Sequence, residues 1–468
     1  MSDVRVRFAP SPTGNLHIGG ARTAIFNYLF AKNMDGKFLI RIEDTDVKRS
    51  KPEYTEEIFA ALDFLGISPD EKPIYQSHCS EAHKKAVDGL VKTGNAYYCF
   101  CDPQKLAEEK KIAEAEKRST SYPGHCRHLA PQKIEENLKN GLAFAVRFKV
   151  TGEEVSFADK IHKTITVSCD EIEDFIIQRR DGTPTYMLAV AVDDRDMGIT
   201  HIIRGDDHIS NTPKQILLHR ALNNVPPVFA HVPLIMGPDK KRLSKRHGAE
   251  PVTKYKKMGI LGDAVVNYLV LLGWYPGEDV EVLTLDWLKE NFSLEGVSGK
   301  SAVFDAEKLK WINGKHFSSM SDEEFIDYAT SWQREYHANE TIEASAPEYL
   351  RSVLSLAKSR VQTIEELFTE NEYYFQDPVD YDEKGVKKHL KYDWVIEKLA
   401  ILIDDIKSLD SFTELDLEDM LRQRAGEWEI SAGKLIHPIR LALTGKTSSP
   451  GLFELMVVFS RHPSHLAQ

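Results

Sequence analysis

The order of apolar and polar residues in the first hundred positions predicts alternating strands and helices. Residues 5–8 (RVRF) alternate as a half-buried strand does, and residues 37–46 (KFLIRIEDTD) form an apolar strand that ends in acidic residues. An amphipathic helix follows the first strand, and a second is expected over 52–66, with proline at its start and glycine at its end. In open parallel sheets, ligands bind beyond the carboxyl ends of the strands. We therefore expect Arg7 and Glu43 to lie at the ligand-binding end.

The pattern changes over residues 99–157, which are partly charged and helical and partly rich in Ser, Pro and Gly, as in an inserted module. Strands are predicted again over 174–192, where Asp181-Gly182 marks a hairpin turn, and over 200–207. These strands indicate the second half of a split nucleotide-binding fold. Beyond Gly259 the chain is expected to be mostly helical.

Composition narrows the function classes only slightly. A chain of 468 residues is long enough for two to four domains. Its net charge of −12 argues mildly against nucleic-acid binding, but a local basic face would suffice for it. Five cysteines suggest no disulfide framework, and no apolar run has the length of a membrane span. We therefore expect a cytoplasmic protein without a membrane partner.

The first candidate site lies where the first strand meets its helix. Residues 9–20 (APSPTGNLHIGG) form a Pro/Ser/Gly loop that brings His17 and Gly19-Gly20 to the helix start. Backbone N–H groups point outward at a helix N-terminus, and glycine lets a phosphate approach the backbone closely. This combination of strand, loop and helix predicts an anion site.

A second motif indicates which anion this site binds. Residues 242–246 (RLSKR) lie in a basic loop, and together with HIGG they have the form of the two ATP-binding signatures of class I aminoacyl-tRNA synthetases. The flanking sequence of the first signature resembles bacterial glutamyl-tRNA synthetases in particular. That family usually has lysine where this chain has Arg242, and Lys241 could partly substitute for it.

The resemblance covers essentially the whole chain and implies its architecture. It implies an α/β Rossmann-type nucleotide-binding fold of the class I synthetases, with an inserted connective module and an all-helical C-terminal anticodon-binding region. The expected divisions are the first catalytic half at 1–98, the connective and acceptor-binding module at 99–190, the second catalytic half at 191–236, the signature loop and stem-contact domain at 237–312, and two anticodon-binding domains at 313–375 and 376–468.

The resemblance also implies that ATP, accompanied by Mg²⁺, binds at the two signatures. His17 and Lys245 are the expected catalytic residues, because each can donate a hydrogen bond to phosphate oxygens as charge develops on them. The remaining ATP-binding positions come from the two signature segments: Pro10, Ser11, Pro12, Thr13, Gly14, Gly19, Gly20, Arg242, Leu243, Ser244 and Arg246.

An amino-acid pocket follows from the same resemblance. The residues that correspond to the family's glutamate-binding positions are Arg7, Ala9, Ser11, Glu43, Tyr186 and Arg204. Their types suit a dicarboxylic amino acid, since arginine pairs well with carboxylates and Glu43 can pair with the ammonium group. Either arginine could bind the side-chain carboxylate, and we favour Arg7.

Two short cysteine-containing motifs suggest a structural Zn²⁺ site. Cys99-Phe-Cys101 is followed, after 24 residues, by Cys126-Arg-His128, and soft ligands brought together in two close pairs are typical of zinc. Many bacterial glutamyl-tRNA synthetases have this pattern. The fourth ligand is left open between Tyr122 and His128.

The helical C-terminal third resembles the family's anticodon-binding region, with Arg360 where the family has an arginine that reads the last anticodon base. The expected activity is therefore formation of glutamyl-adenylate from L-glutamate and ATP, then transfer of glutamate to the terminal adenosine of tRNA(Glu), by a monomer. Three other functions are compatible with parts of the sequence: a shorter paralogue that glutamylates a modified nucleoside, a non-catalytic tRNA-binding protein, and a small-molecule adenylating enzyme. The intact signatures and the long helical C-terminus argue against them.

Overall fold

The computed structural model describes residues 3–46, 49–243, 250–277, 279–337 and 346–461. These fall into two units, the first formed by Met1–Thr253 with Val266–Asp305 and the second by Lys254–Val265 with Ala306–Gln468. None of the described helices has the length and apolarity that a membrane crossing requires.

The first unit begins with the predicted alternation of strands and helices. Its first three strands pair in parallel in chain order: β1 (Arg5–Phe8), β2 (Lys37–Ile42) and β3 (Ile74–Tyr75). Helices follow each strand: α1 (Ile18–Asn33), α2 (Pro52–Phe64) and α3 (Ser80–Lys92). The positions predicted for the strands and helices of residues 5–66 are thus confirmed to within a few residues, but α1 is buried on nearly every side and is not amphipathic.

A second sheet of four strands lies beside the first. It has the order β7–β6–β10–β9 and consists of β6 (Glu154–Asp159), β7 (Lys163–Ser168), β9 (His201–Gly205) and β10 (Val228–Val232), with α7 (Thr212–Ala221) between the last two. The Thr200 amide donates to the Arg5 carbonyl at 2.9 Å, which brings β9 beside β1. The carboxyl ends of β1, β2, β9 and β10 therefore face one side of a split, doubly wound sheet.

The inserted module contains a separate antiparallel sheet. Its order is β4–β5–β8, from β4 (Ala96–Cys99), β5 (Ala145–Phe148) and β8 (Ile176–Gln178), and it carries α4 (Pro103–Ala115) and α5 (Pro131–Lys139). Apolar side chains of this sheet, among them Val146, Phe148 and Ile177, share one core with α3 and α7.

One strand prediction was wrong. The turn at Asp181-Gly182 is present, with Gly182 at φ 85°, but residues 186–192 belong to helix α6 (Tyr186–Asp196) and not to a second hairpin strand. The residues from Leu188 to Val192 are all buried. A helix that is apolar on every side has no 3.6-residue alternation, so periodicity does not distinguish it from a buried strand.

The rest of the first unit includes the short parallel pair β11 (Ile235–Met236) and β12 (Ala302–Val303) and helix α10 (Leu285–Asn291). Two helices include residues of both units, α8 (Val252–Lys257) and α9 (Gly262–Leu271).

The second unit is helical where it is described, as predicted. Its helices are α11 (Ala306–Ser319), α12 (Asp322–Tyr336), α13 (Pro347–Ala357), α14 (Ile364–Thr369), α15 (Glu383–His389), α16 (Asp393–Lys407), α17 (Glu414–Glu427), α18 (Gly433–Thr444) and α19 (Leu452–Phe459). An aromatic cluster that includes Phe317, Phe325 and Phe368 forms one core, and a leucine-rich cluster around Leu402 and Leu421 forms another.

Candidate functional site

A cavity of about 960 Å³ opens at the carboxyl ends of β1, β2, β9 and β10, within the first unit. The predicted site residues that line it are Arg7, Ala9, Pro10, Ser11, Thr13, Gly14, His17, Gly19, Gly20, Glu43, Tyr186, Arg204, Arg242 and Leu243. Pro12 is buried outside the lining. Ser244, Lys245 and Arg246 lie outside the described residues.

The loop after β1 is held in place by its neighbours. The carbonyl of Pro10 accepts from the Glu43 amide at 2.9 Å, and that of Pro12 accepts from Lys51 at 3.1 Å. The Glu57 carboxylate accepts from the Leu16 amide at 2.8 Å and from the Thr253 hydroxyl at 3.1 Å. The loop therefore presents the start of α1 in a fixed orientation.

His17 is the N-cap residue of α1, and its Nδ1 accepts from the Gly20 amide at 3.2 Å. Desolvation by the surrounding protein lowers the pKa of His17, and the Arg242 guanidinium adds to this effect. The imidazole is therefore neutral at pH 7, and because Nδ1 is the acceptor, Nε2 carries the proton. A Cβ at Gly19 would lie 3.2 Å from this ring, so a side chain there would press on the imidazole.

Arg7 and Glu43 belong to a buried ionic network. Asp194 of α6 accepts from Arg7 Nε at 2.9 Å and from Arg41 Nη1 at 2.5 Å. Arg41 also donates to Glu43 at 3.0 Å. Burial raises the pKa of Glu43, although Arg41 opposes it. The Nε–Nη2 edge of Arg7 faces Asp194, so the Nη1–Nη2 end of the guanidinium is the fork that a ligand carboxylate could use.

Arg204 lies in the opposite wall of the cavity, at the end of β9. It donates through Nε to His231 at 3.2 Å and through Nη2 to Thr212 at 2.7 Å. Its Nη1 is buried and has no hydrogen-bond partner among the described residues. Burial lowers the pKa of Arg204 to about 10, so the guanidinium remains charged at neutral pH. The Tyr186 hydroxyl is 3.2 Å from Nδ1 of His208, on the same wall.

The three predicted zinc ligands Cys99, Cys101 and Cys126 lie together, with their sulfur atoms within 4.8 Å of one another. The Tyr122 hydroxyl is 3.6 Å from Cys99 Sγ and 3.5 Å from Cys101 Sγ. His128 is not part of this group. Burial acts to raise the pKa of Cys99, but hydrogen bonds from Arg147 and Tyr122 outweigh it and lower that pKa. Three thiols so close together suit Zn²⁺.

Arg360 belongs to the second unit, just after α13. Its side chain is about half exposed and its Nη2 is 3.4 Å from the carboxylate of Glu454. An exposed pair of this kind is weak and leaves the guanidinium available to a partner.

Comparisons with known proteins agree with this geometry. Residues 3–311 match the family of class I tRNA synthetases (E and Q), catalytic domain, and residues 324–464 match an anticodon binding domain. A glutamate–tRNA ligase 2 of Caldicellulosiruptor saccharolyticus is 42% identical over 98% of this chain and 96% of its own length. A glutamate–tRNA ligase 1 of Caldanaerobacter subterraneus is 43% identical over 97% of this chain and 95% of its own.

Solved structures give the same result. The glutamate tRNA ligase from Elizabethkingia meningosepticum, in complex with its amino acid, matches with a TM-score of 0.88 and 30% identity, over 98% of this chain and 97% of that one. The glutamate-tRNA synthetase from Elizabethkingia anophelis matches with a TM-score of 0.85 and 30% identity over the full length of both chains. The resemblance inferred from the two signatures is thus confirmed. The chain belongs to the class I aminoacyl-tRNA synthetases and, within them, to the glutamate–tRNA ligases.

Proposed function

We propose that the cavity of the first unit binds L-glutamate beside ATP, and that its residues direct the formation of glutamyl-adenylate before transfer to tRNA(Glu). The observation that carries this proposal is Arg204, which lines the cavity and whose buried Nη1 has no hydrogen-bond partner among the described residues. A buried cationic donor without a partner is costly, and a carboxylate ligand would satisfy it.

The charges around the cavity favour an acidic amino acid. Among the described residues that line it, Arg7, Arg22, Arg204 and Arg242 outnumber the carboxylates Glu43 and Asp207, which leaves an excess of positive charge. Glutamate carries one net negative charge and would balance part of it. We assign Arg7 to the side-chain carboxylate, Arg204 to the second carboxylate and Glu43 to the ammonium group.

ATP would occupy the part of the cavity at the start of α1. Neutral His17 donates through Nε2 to a phosphate oxygen, and Gly19 and Gly20 allow close approach of the triphosphate. We assign Lys245 and the rest of residues 242–246 to the same phosphates. Mg²⁺ bound to the triphosphate would neutralise part of its charge.

Two steps then follow. A carboxylate oxygen of glutamate forms a bond to the α-phosphorus while the bond to pyrophosphate breaks on the opposite side. Next, a ribose hydroxyl of the terminal adenosine attacks the glutamyl carbonyl, and AMP leaves. The residues of this chain contribute positioning and charge stabilisation in both steps.

Charging of purified total tRNA with labelled glutamate, with and without the glutamine isoacceptor, tests the function directly. We expect ATP-dependent attachment of glutamate to tRNA(Glu). Adenylation without any attachment to tRNA would instead identify a small-molecule adenylating enzyme.

We also propose that Cys99, Cys101, Cys126 and Tyr122 hold a structural Zn²⁺ in the inserted module, which would bind the acceptor end of tRNA. The geometry favours Tyr122 over His128, because its hydroxyl lies close to two of the three thiols. Zinc would tie the segment that contains Tyr122 and Cys126 to the end of β4. Four protein ligands would leave no position for substrate.

We predict that Cys101→Ser removes this metal whereas Cys79→Ser does not. Cys79 is a matched control, because it is a free thiol of similar exposure that lies outside the cluster. Metal analysis of untreated protein should find about one zinc per chain in the wild type and in Cys79→Ser, and almost none in Cys101→Ser. Equal zinc contents in the two variants would contradict the assignment.

Arg360 is proposed to read the last base of the anticodon and to exclude tRNA(Gln). Arginine only donates hydrogen bonds, so it matches a base edge that presents acceptors and leaves other edges poorly paired.

We predict that Arg360→Gln lowers the preference for tRNA(Glu) over tRNA(Gln) about tenfold to a hundredfold, the effect of losing one charged contact to a base. The measurement is kcat/KM for both tRNAs. Arg351→Gln is the control, since Arg351 is an exposed arginine on α13. A preference that stays at the wild-type value in Arg360→Gln would show that another residue reads the base.

A further inference from the structure

A hydrogen-bonded series of buried polar side chains lies behind Arg204. None of these side chains has a part in the steps above. His231 of β10 receives a hydrogen bond from Arg204 Nε at 3.2 Å, and its Nδ1 is 2.6 Å from the carboxylate of Asp159 at the end of β6. Thr212, at the start of α7, is 3.0 Å from His231 Nε2. All four side chains are buried.

The position of the proton on His231 follows from Arg204. Arginine has donors only, so Nε2 of His231 must accept and its single proton must be on Nδ1. That N–H then donates to Asp159. Burial lowers the pKa of His231, which keeps the imidazole neutral and able to accept.

Asp159 is itself held in one orientation. Its Oδ1 accepts from the amides of Ile161 and His162 at 2.9 and 2.8 Å, so Oδ2 is the atom that faces His231. Burial acts to raise the pKa of Asp159, but these hydrogen bonds outweigh it and lower that pKa. A fixed acceptor therefore determines which nitrogen of His231 carries the proton.

We propose that Asp159 and His231 are positioning residues for substrate binding. They hold the Nε edge of Arg204, which lines the cavity, so that the guanidinium keeps one orientation there. This proposal rests on the proposed glutamate site, because Arg204 is the residue through which Asp159 and His231 would act.

Asp159→Asn gives the sharpest test. If the asparagine oxygen keeps its hydrogen bonds to the two amides, its NH₂ group faces His231 Nδ1 and forces the proton onto Nε2. Nε2–H then opposes Nε–H of Arg204, which would displace the guanidinium. We expect KM for glutamate to rise about tenfold to a hundredfold, with KM for ATP changed less than about threefold.

Two substitutions of His231 separate its contact with Arg204 from its contact with Asp159. Glutamine places an amide oxygen near the position of Nε2 and can still accept from Arg204. Asparagine places its amide nearer Nδ1, where it reaches Asp159 only. We expect His231→Gln to retain glutamate affinity within about threefold, and His231→Asn to lose about tenfold or more.

A general loss of stability would not lower glutamate affinity in His231→Asn while His231→Gln keeps it. His219→Asn serves as the control, since His219 is a buried histidine of α7 that hydrogen-bonds to Asn224, whereas the described partners of Arg204 are His231, His208 and Thr212. Thermal unfolding of each variant, together with calorimetric titration of glutamate, would separate lost stability from lost affinity. His219→Asn should lower the melting temperature without changing KM for glutamate.

Arg204→Lys distinguishes a failure of the proposed glutamate site from a failure of the positioning role of Asp159 and His231. If this variant binds glutamate normally, the proposed glutamate site is wrong. If it loses affinity while Asp159→Asn and His231→Asn bind glutamate as the wild type does, the site stands and the positioning role is overturned. Equal losses in His231→Gln and His231→Asn would also overturn it.

Discussion

Replacing Lys245 with alanine is expected to slow the formation of glutamyl-adenylate by about 10²- to 10³-fold while weakening ATP binding much less. Negative charge builds on the pyrophosphate oxygens as the bond to the α-phosphorus breaks. A lysine ammonium that meets those oxygens stabilises the transition state more than it stabilises bound ATP. The assignment of Lys245 rests on its place in the second class I signature and on the family to which the chain belongs.

Single-turnover adenylation at saturating ATP measures this effect separately from product release. Lys240→Ala is the matched control, because Lys240 is an exposed lysine of the same basic loop, five positions before Lys245. Lys245→Arg would keep the charge but change the donor geometry, and should recover only part of the rate. If Lys245→Ala and Lys240→Ala react at similar rates, the phosphate contact is made by another residue.

The features that sequence alone predicted are those encoded by neighbouring residues. The loop after β1, the cap at His17 and the glycines behind it are consecutive in the chain, and their types already describe a phosphate site. The strand and helix order over residues 5–66 was predictable for the same reason. The helix at 186–196 was not, because full burial removes the alternation that would have revealed it.

The buried hydrogen bonds that hold the arginines of the cavity could not be predicted, because they join residues that are far apart in the sequence. Asp194 is 187 positions from Arg7, and His231 is 72 positions from Asp159. Each of these residues, taken alone, is more often a surface or core polar group than part of a site. One local signal was the Asp193-Asp194 pair at the end of the apolar run 187–192, since buried carboxylates require cationic partners.

Asp194→Asn is expected to have the largest effect on stability. Asp194 accepts from both Arg7 and Arg41, and all three side chains are almost completely buried. Asparagine has nearly the same shape but no charge, so the two guanidinium groups would lose their shared counterion. Breaking a buried ion pair in this way costs about 3–5 kcal/mol. Denaturant unfolding measures the loss, and glutamate affinity should fall as well because Arg7 is released.

The same strand provides a matched control for this prediction. Arg5, two positions before Arg7 on β1, makes an equivalent two-nitrogen contact with Glu71 at 2.8 and 3.1 Å, but this pair is partly exposed. Solvent screens such a pair, so Glu71→Gln should cost less than about 1 kcal/mol. Glutamate affinity should not change in this variant.

The pH dependence of the unfolding free energy shows whether the charge of Asp194 causes the loss of stability in Asp194→Asn. Burial acts to raise its pKa, but Arg41 and Arg7 outweigh burial and hold the pKa of Asp194 well below its usual range. A carboxyl group with a depressed folded-state pKa contributes stability that is present above the unfolded pKa, about 4, and is lost as the pH falls below it. The difference in unfolding free energy between wild type and Asp194→Asn should therefore be constant from pH 7 to about 5. Below about pH 4 it should narrow by up to roughly 1.4 kcal/mol per pH unit. A difference that does not change below pH 4 would mean that asparagine destabilises the fold through packing, and that the carboxylate charge does not hold Arg7 in place.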